Sequence, residues 1–316
     1  MKPGFSFNDA LSAPFVMLRR RPLYLLAWGL IMAVVVAGIY SVMIPLIAAI
    51  PFGDADGVAV MDQYMQDVSR FSAAINGMNM LMYLMMLVVW TAAGRSVLSP
   101  ARGDRFLFLR LGMDEVRVAV AIVAVFLGWY IAFIVLILLG AGIGTALWTV
   151  SEPAAVAAVM LYGLIVFVGS IWALVRVSLI APATLILKRF AFAEGWPLAR
   201  GQVWKLIGLN LIVWVIYMLS VILMYALVAG VLAAGFFGHG LAWPSDVKSL
   251  ADLEPFLRPM TIPALLAVIP FSMGYGWVMA LYAAPGVVAA RQLLDGVPAT
   301  APMTEDAPPV DTLQPS

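Results

Sequence analysis

Six long runs of apolar residues constrain the fold of this chain more than any other feature of its sequence. None of the six contains a charged residue, and they cover residues 23–50, 71–94, 118–150, 153–175, 206–237 and 261–290. A helix rises about 1.5 Å per residue, so about 20 residues cross the hydrocarbon core of a bilayer. Hydrophobic residues make up 64% of the chain, more than one soluble core of this size encloses. The sequence therefore predicts an all-α integral membrane protein with six transmembrane helices.

The distribution of Lys and Arg predicts the orientation of these helices. Of the 18 basic residues, 15 fall in four alternate segments, and only Arg70, Lys248 and Arg258 fall between them. The side of a membrane protein that is richer in Lys and Arg faces the cytoplasm. We therefore expect a multi-pass protein of the bacterial inner (cytoplasmic) membrane with both termini in the cytoplasm. The first run is too long for a cleaved signal peptide and is interpreted as a retained helix.

A short segment of aromatic, acidic and basic residues precedes each pair of runs, and we call these three segments the leaders. The three segments contain Phe5, Phe108 and Phe192. This composition is typical of a helix at the membrane interface, with aromatic rings among the headgroups and Arg near the phosphates. The sequence thus predicts three helical hairpins, each preceded by a short cytoplasmic interfacial helix. The predicted domains are an amphipathic leader at 1–22, a membrane domain at 23–290 and a disordered cytoplasmic tail at 296–316.

The ends of the second, fourth and sixth runs resemble one another. Each has a Trp followed by a Pro, in residues 90–100, 172–182 and 277–285, and the first two have an Arg between them. Together with the leaders, this pattern favours a threefold repeat of leader, helix, turn and helix. The alternative is that every inner membrane boundary favours Trp, Arg and Pro.

The segment between the first two runs also has a helical pattern. Its apolar residues recur every three or four positions, which indicates a surface helix that leads into the second span. These residues are Val60, Met61, Tyr64, Met65 and Val68.

The apolar runs contain few groups that could perform chemistry. They have no Asp, Glu, Lys or His, which argues against a proton relay or an ion-coupled carrier. The chain has no Cys and a single His, His239, so it lacks the ligands of a typical zinc or haem site. We therefore predict no catalytic, cofactor-binding or metal-binding residues and no enzyme activity. The net charge of +1 does not indicate nucleic-acid binding.

Glycine, proline and polar residues in the runs indicate how the helices pack and bend. Gly140 and Gly144 have the spacing of a close helix contact, and no Lys follows them as a phosphate loop requires. Pro182, Pro270 and Pro285 are candidate kinks. The polar residues either hydrogen-bond between helices or line a substrate path; they are Asn76, Asn79, Asn210, Tyr217, Ser220, Ser272 and Tyr275.

Arginines near the predicted cytoplasmic ends are candidate anchors for lipid headgroups or for neighbouring helices. Arg176 is notable because the sequence after it stays apolar through Leu187. Its side chain either extends to the phosphates from just inside the boundary or forms a headgroup or interhelical anchor comparable to Arg95. The candidate anchors are Arg19, Arg20, Arg21, Arg95, Arg176 and Arg200.

The stretch from Arg176 to Gly208 carries a recognisable pattern. The fourth span is followed by the apolar pair Ala181-Pro182. Residues of the pattern E-A-x-x-x-S-W-x-L-T-R-G-x-W-x-x-L-G then occur in the same order, though not at the same spacing, at Glu194, Leu198, Arg200, Gly201, Trp204 and Gly208. This stretch resembles the bacterial glycerophosphoryl diester phosphodiesterase membrane-domain-like proteins and the related YciC-type proteins. Pro197 departs from the pattern. The resemblance implies a six-span helical domain of unassigned role, without the catalytic phosphodiesterase domain that some relatives carry.

Two functions are compatible with these features. The first is a non-enzymatic inner-membrane protein that organises lipids or partner proteins at the cytoplasmic leaflet through its interfacial helices and Arg clusters. Its expected partners are membrane lipids and an unidentified membrane protein. The alternative is a small-molecule transporter or facilitator with a path between helical repeats. A lipid-modifying enzyme is a weaker third interpretation, because catalytic groups are scarce.

Overall fold

The computed structural model describes residues 4–48, 57–99, 107–109, 112–241 and 254–295, and nine α-helices lie within them. Among the described residues, six helices are long and apolar enough to cross a membrane, which confirms the predicted helical class and the number of candidate spans. The helices are α1 (Phe7–Arg20), α2 (Pro22–Ala48), α3 (Gly57–Leu98), α4 (Met113–Trp148), α5 (Glu152–Val177), α6 (Ile180–Leu187), α7 (Phe192–Leu198), α8 (Val203–Gly238) and α9 (Glu254–Asp295).

Two of the spanning helices are longer than their apolar runs. α3 begins at Gly57 and α9 begins at Glu254, and each has 42 residues. Hydropathy detects only the apolar part of a helix, whereas backbone hydrogen bonds continue through polar turns. The surface helix predicted before the second span is therefore the first part of α3.

The prolines proposed as kinks lie in two different settings. α5 ends at Val177, and α6 begins at Ile180 after a two-residue turn. Pro182 therefore lies in the first turn of a new helix, where its missing N–H removes no helical hydrogen bond. Pro270 and Pro285 lie inside the continuous α9.

The chain divides into two compact units, whose boundaries fall inside α1, α3, α8 and α9. Unit 1 contains the described parts of Met1–Ala13, Ala93–Ile212 and Ala283–Ser316, and unit 2 contains those of Pro14–Ala92 and Val213–Tyr282. Helices α4 to α7 belong wholly to unit 1, and α2 belongs wholly to unit 2.

In unit 2, α2 and α9 pack with their backbones in direct contact. A side chain at Gly29 would overlap the backbone carbonyl of Ser272, and one at Gly276 would overlap the carbonyl of Leu25. Leu25 and Trp28 are fully buried beside these glycines. Small residues permit such close approach of membrane helices, where packing provides much of the association energy.

In unit 1, small residues bring the ends of α3 and α9 close to α6. Ala93 and Ala284 are fully buried, and a Cβ atom at Gly94 would lie 2.6 Å from the Leu185 side chain. α4 contacts both α5 and α6, and α7 contacts α5 and α6. α6 therefore belongs to the interior packing of this unit, whereas α7 packs against it and exposes most of its own side chains.

The spanning helices differ in how much of their surface the protein covers. Large apolar side chains of α4, α5 and α8 are exposed along most of their length, including Phe126, Phe167 and Trp214. Water would make this exposure costly, but acyl chains match it. This is the surface of a multi-pass membrane protein.

The leaders differ from their predicted form. The interfacial placement of the first two aromatic residues is wrong, because Phe5 and Phe108 are only 1% and 3% exposed, whereas Phe192 is 38% exposed. The first leader does form a helix, α1, and the third contains α7. The three-hairpin arrangement and the threefold repeat stay predictions, and the tail at 296–316 lies outside the described residues.

Candidate functional site

A buried ion pair joins the end of α3 to the start of α4 in unit 1. Arg95 binds the Glu115 carboxylate, and its Nη2 also donates a hydrogen bond of 2.9 Å to the carbonyl of Phe108. Glu115 accepts a second hydrogen bond, of 3.0 Å, from the backbone N–H of Gly112, and its side chain is only 3% exposed. Arg95, proposed as a headgroup or interhelical anchor, thus forms an interhelical contact.

The N-terminal segment is tied to the end of α9 by a single glutamine. The Gln292 side chain accepts a hydrogen bond of 2.7 Å from the backbone N–H of Ser6, and it donates one of 3.1 Å to Asp9. Phe5 and Ala10 are buried beside this connection. These contacts explain why the first leader belongs to the protein interior.

Three further described acids near these helix ends are engaged by basic side chains. Asp114 pairs with Arg117 at 3.2 Å, and Glu194 pairs with Arg189 at 2.8 Å. Asp295 pairs with Arg291 at 3.4 Å. The Asp9 carboxylate differs, because the Gln292 amide binds it and no described cation forms a salt bridge with it.

Three exposed cations lie between α6 and the start of α8 without a described acidic partner. Lys188 ends α6 in a left-handed conformation with φ of 52°, Arg200 follows α7, and Lys205 lies in the first turn of α8. We call these three residues the basic segment. Within the part of the chain that the structure describes, none of them forms a salt bridge.

A fourth cation, Arg176, contacts the rings of two tryptophans. Its guanidinium carbon is 4.4 Å from the ring centre of Trp172 and 5.3 Å from that of Trp196. The two rings are 6.1 Å apart in an edge-to-face arrangement. This cluster joins the last turn of α5 to α7, and sequence spacing alone did not pair its two tryptophans.

The remaining candidate arginines belong to α1 and the residue after it. Arg19 and Arg20 are exposed, and Arg21 lies over the ring of Tyr24 at 5.6 Å. These residues belong to unit 2, whereas the basic segment belongs to unit 1.

Polar residues within the spans have several different environments. Trp277 donates a hydrogen bond of 2.9 Å to Ser220, which joins α8 and α9 inside unit 2. Tyr217 packs edge-to-face against Tyr282 at 5.4 Å. The hydroxyl group of Ser272 is buried without a hydrogen-bond partner among the described residues. Asn76, Asn79 and Asn210 are exposed, and Tyr275 is half-buried.

A cleft of about 570 Å³ opens between α4 and α5 in unit 1. Gly140 and Gly144 lie along it, against Tyr162 and Val159 respectively. The Tyr162 hydroxyl donates its hydrogen bond to the carbonyl of Leu136, so its polar group is already occupied. The cleft is apolar and suits hydrocarbon better than a polar solute. Among the described residues, no three acidic or His side chains are grouped as metal ligands would be.

Sequence reasoning missed the partners in these contacts. Glu115 was recognised only as an acid of the second leader, and Gln292 was not singled out. A basic residue at one helix end and an acid at the next are visible in the sequence, but their pairing depends on the intervening loop. Comparison with family models, with curated proteins and with solved structures finds no match for this chain.

Proposed function

We propose that this protein is a non-enzymatic protein of the bacterial inner membrane that binds and organises anionic phospholipids at the cytoplasmic leaflet. The observation that carries the proposal is the basic segment, because its three exposed cations have no described acid to neutralise them. A Lys or Arg near an anionic membrane surface contributes about 1 kcal/mol to the attraction.

The bias of Lys and Arg toward alternate segments supports the proposed orientation. The basic segment then faces the cytoplasm together with both chain termini. Since anionic lipids give that leaflet a negative surface potential, exposed cations there would concentrate them around the protein.

The stretch from α6 to the start of α8 also carries the family resemblance. We propose on this basis that the chain is a glycerophosphoryl diester phosphodiesterase membrane-domain-like or YciC-type protein. This relationship is compatible with a lipid-organising role, because it supplies a helical membrane domain. Arg200 belongs both to the matched pattern and to the basic segment.

The proposed function is tested by the lipid preference of the purified full-length chain. Native mass spectrometry would measure the apparent Kd of phosphatidylglycerol and phosphatidylcholine for the detergent-solubilised protein. We expect tighter binding of phosphatidylglycerol, weakened by salt because exposed charges are screened. The triple variant Lys188→Gln, Arg200→Gln, Lys205→Gln should lower this preference about tenfold, or about 1.4 kcal/mol.

The control is Arg117→Gln, which removes one exposed charge that Asp114 already pairs. This variant should bind phosphatidylglycerol with nearly the affinity of the wild type, since the surface pair contributes little. Equal binding of the two lipids by the wild-type protein would contradict the proposed function. So would an unchanged preference in the triple variant.

A further inference from the structure

The Arg176 cluster differs physically from the three exposed cations of the basic segment. Its guanidinium group contacts two indole rings, and its Nε atom is buried without an acceptor among the described residues. Contact with aromatic rings restricts the side chain of an Arg and reduces the rotamer entropy lost when it binds a ligand. Arg176 is therefore held in advance of binding, whereas an exposed Lys is not.

The cluster offers hydrogen-bond donors and no acceptors. The Nη groups of Arg176 form no described hydrogen bond and are not enclosed as Nε is. The indole N–H groups of Trp172 and Trp196 likewise donate to no acceptor in the described ranges. The nearest acid in the sequence, Glu194, is paired with Arg189. A set of donors around one positive charge is complementary to a ligand that carries only acceptors, such as a phosphate group.

The position of Arg176 along α5 brings the cluster to headgroup depth. α5 begins at Glu152, and the distance along the helix axis to Arg176 is about 36 Å at 1.5 Å per residue. The hydrocarbon core is about 30 Å thick. An α5 that starts at one interface thus places Arg176 at the headgroup layer of the other, where lipid phosphates lie.

We propose that Arg176, Trp172 and Trp196 form a specific site for the phosphate group of an anionic phospholipid. The Nη groups of Arg176 bind two phosphate oxygens from the end of the guanidinium, and the two rings hold its position. This inference rests on the proposed function for the identity of the lipid, but it concerns a single built site rather than the summed charge of the surface.

The test compares Arg176→Lys with Arg117→Lys in the same protein. Both substitutions keep the positive charge, but only the first removes a guanidinium that contacts two tryptophan rings. Native mass spectrometry with phosphatidylglycerol should show about a fivefold to tenfold weaker apparent Kd for Arg176→Lys and no change for Arg117→Lys. Trp196→Leu should weaken binding in the same direction, and Trp196→Phe should weaken it less, because the ring is kept and only the indole N–H donor is lost.

Competition identifies the source of the phosphate. Inorganic phosphate and glycerol 3-phosphate, at the concentration of the lipid, should not displace phosphatidylglycerol. Displacement at equal concentration would overturn the assignment to a lipid. Wild-type affinity in Arg176→Lys would overturn the site itself, because a simple snorkelling charge tolerates Lys.

The proposed function and this site can fail separately. If the triple variant loses its lipid preference while Arg176→Lys keeps wild-type affinity, the surface role stands and the specific site is refuted. A measurement on the wild type avoids dependence on variant folding: a phosphatidylglycerol analogue with a photoreactive headgroup should label peptides that contain Trp172 or Trp196. Labelling confined to other peptides would refute the site.

Discussion

Neutralising Glu115 should destabilise the protein far more than neutralising its neighbour Asp114. Glu115→Gln removes the negative charge that Arg95 binds and leaves the shape of the side chain nearly unchanged. The Arg95 guanidinium would keep its hydrogen bond to Phe108 but lose its counter-charge. A cation without its partner in a poorly solvated site is the costly state of a buried ion pair.

The burial of the two side chains sets the size of this effect. Breaking a fully buried pair costs about 3 to 5 kcal/mol. Arg95 is 15% exposed and Glu115 is 3% exposed, so some solvation of the arginine lowers our expectation to about 2 to 4 kcal/mol. Asp114 and Arg117 are 28% and 29% exposed, and the loss of such a pair costs less than about 1 kcal/mol.

Reversible unfolding of the detergent-solubilised protein by sodium dodecyl sulfate, followed by circular dichroism, would compare Glu115→Gln with Asp114→Asn. The two substitutions are adjacent and chemically alike, so their difference isolates burial. The double variant Arg95→Met, Glu115→Gln should lose less free energy of unfolding than the two single variants together. We expect the difference to be at least about 1.5 kcal/mol. If Glu115→Gln and Asp114→Asn lower the free energy of unfolding by amounts that agree within about 0.5 kcal/mol, the reasoning is refuted.

Three further outcomes are expected. Gly276→Ala should lower the free energy of unfolding by about 1 to 3 kcal/mol because the added Cβ meets the Leu25 carbonyl, whereas Gly163→Ala has no neighbour within 4 Å and should be neutral or stabilising in the same unfolding assay. Gln292→Ala should release the N-terminal segment, measured as faster amide hydrogen exchange in α1; unchanged exchange would contradict the connection. Ser220→Ala should cost about 1 kcal/mol by removing the acceptor of the α8–α9 hydrogen bond, and a change below about 0.3 kcal/mol would argue against that bond.

The sequence predicts the spans well because hydropathy reports directly on the solvent that each segment prefers. Six spans were expected and six candidate spans are found, with α5 differing from its run by no more than two residues at either end. The apolar run of α3 begins 14 residues after the helix does, since the polar residues that precede Phe71 end the apolar signal but not the helix. The helical pattern from Val60 to Val68 predicted that earlier part, but as a surface helix and not as a continuation of the span. In this part of the chain the helix begins at Gly57, whereas the apolar run begins only at Phe71.

The candidate site was predictable only in part. The charge of Arg95 and Arg176 and their place near helix ends follow from the sequence. The carboxylate that binds Arg95 and the second ring beside Arg176 do not, because both come from other helices. Phe5 was placed in the headgroups because its neighbours are amphipathic, but Gln292, far along the chain, holds that segment inside unit 1.

The length of α3 has a mechanical consequence. Its apolar run begins at Phe71, so the 14 residues before it form about 21 Å of helix that continues past that run. A straight helix magnifies small rotations at its far end. A change of 10° in the inclination of the apolar part would displace the first turn by about 4 Å. Slight rearrangements among the embedded helices would thus be visible from outside as movements large enough for distance measurements between attached probes.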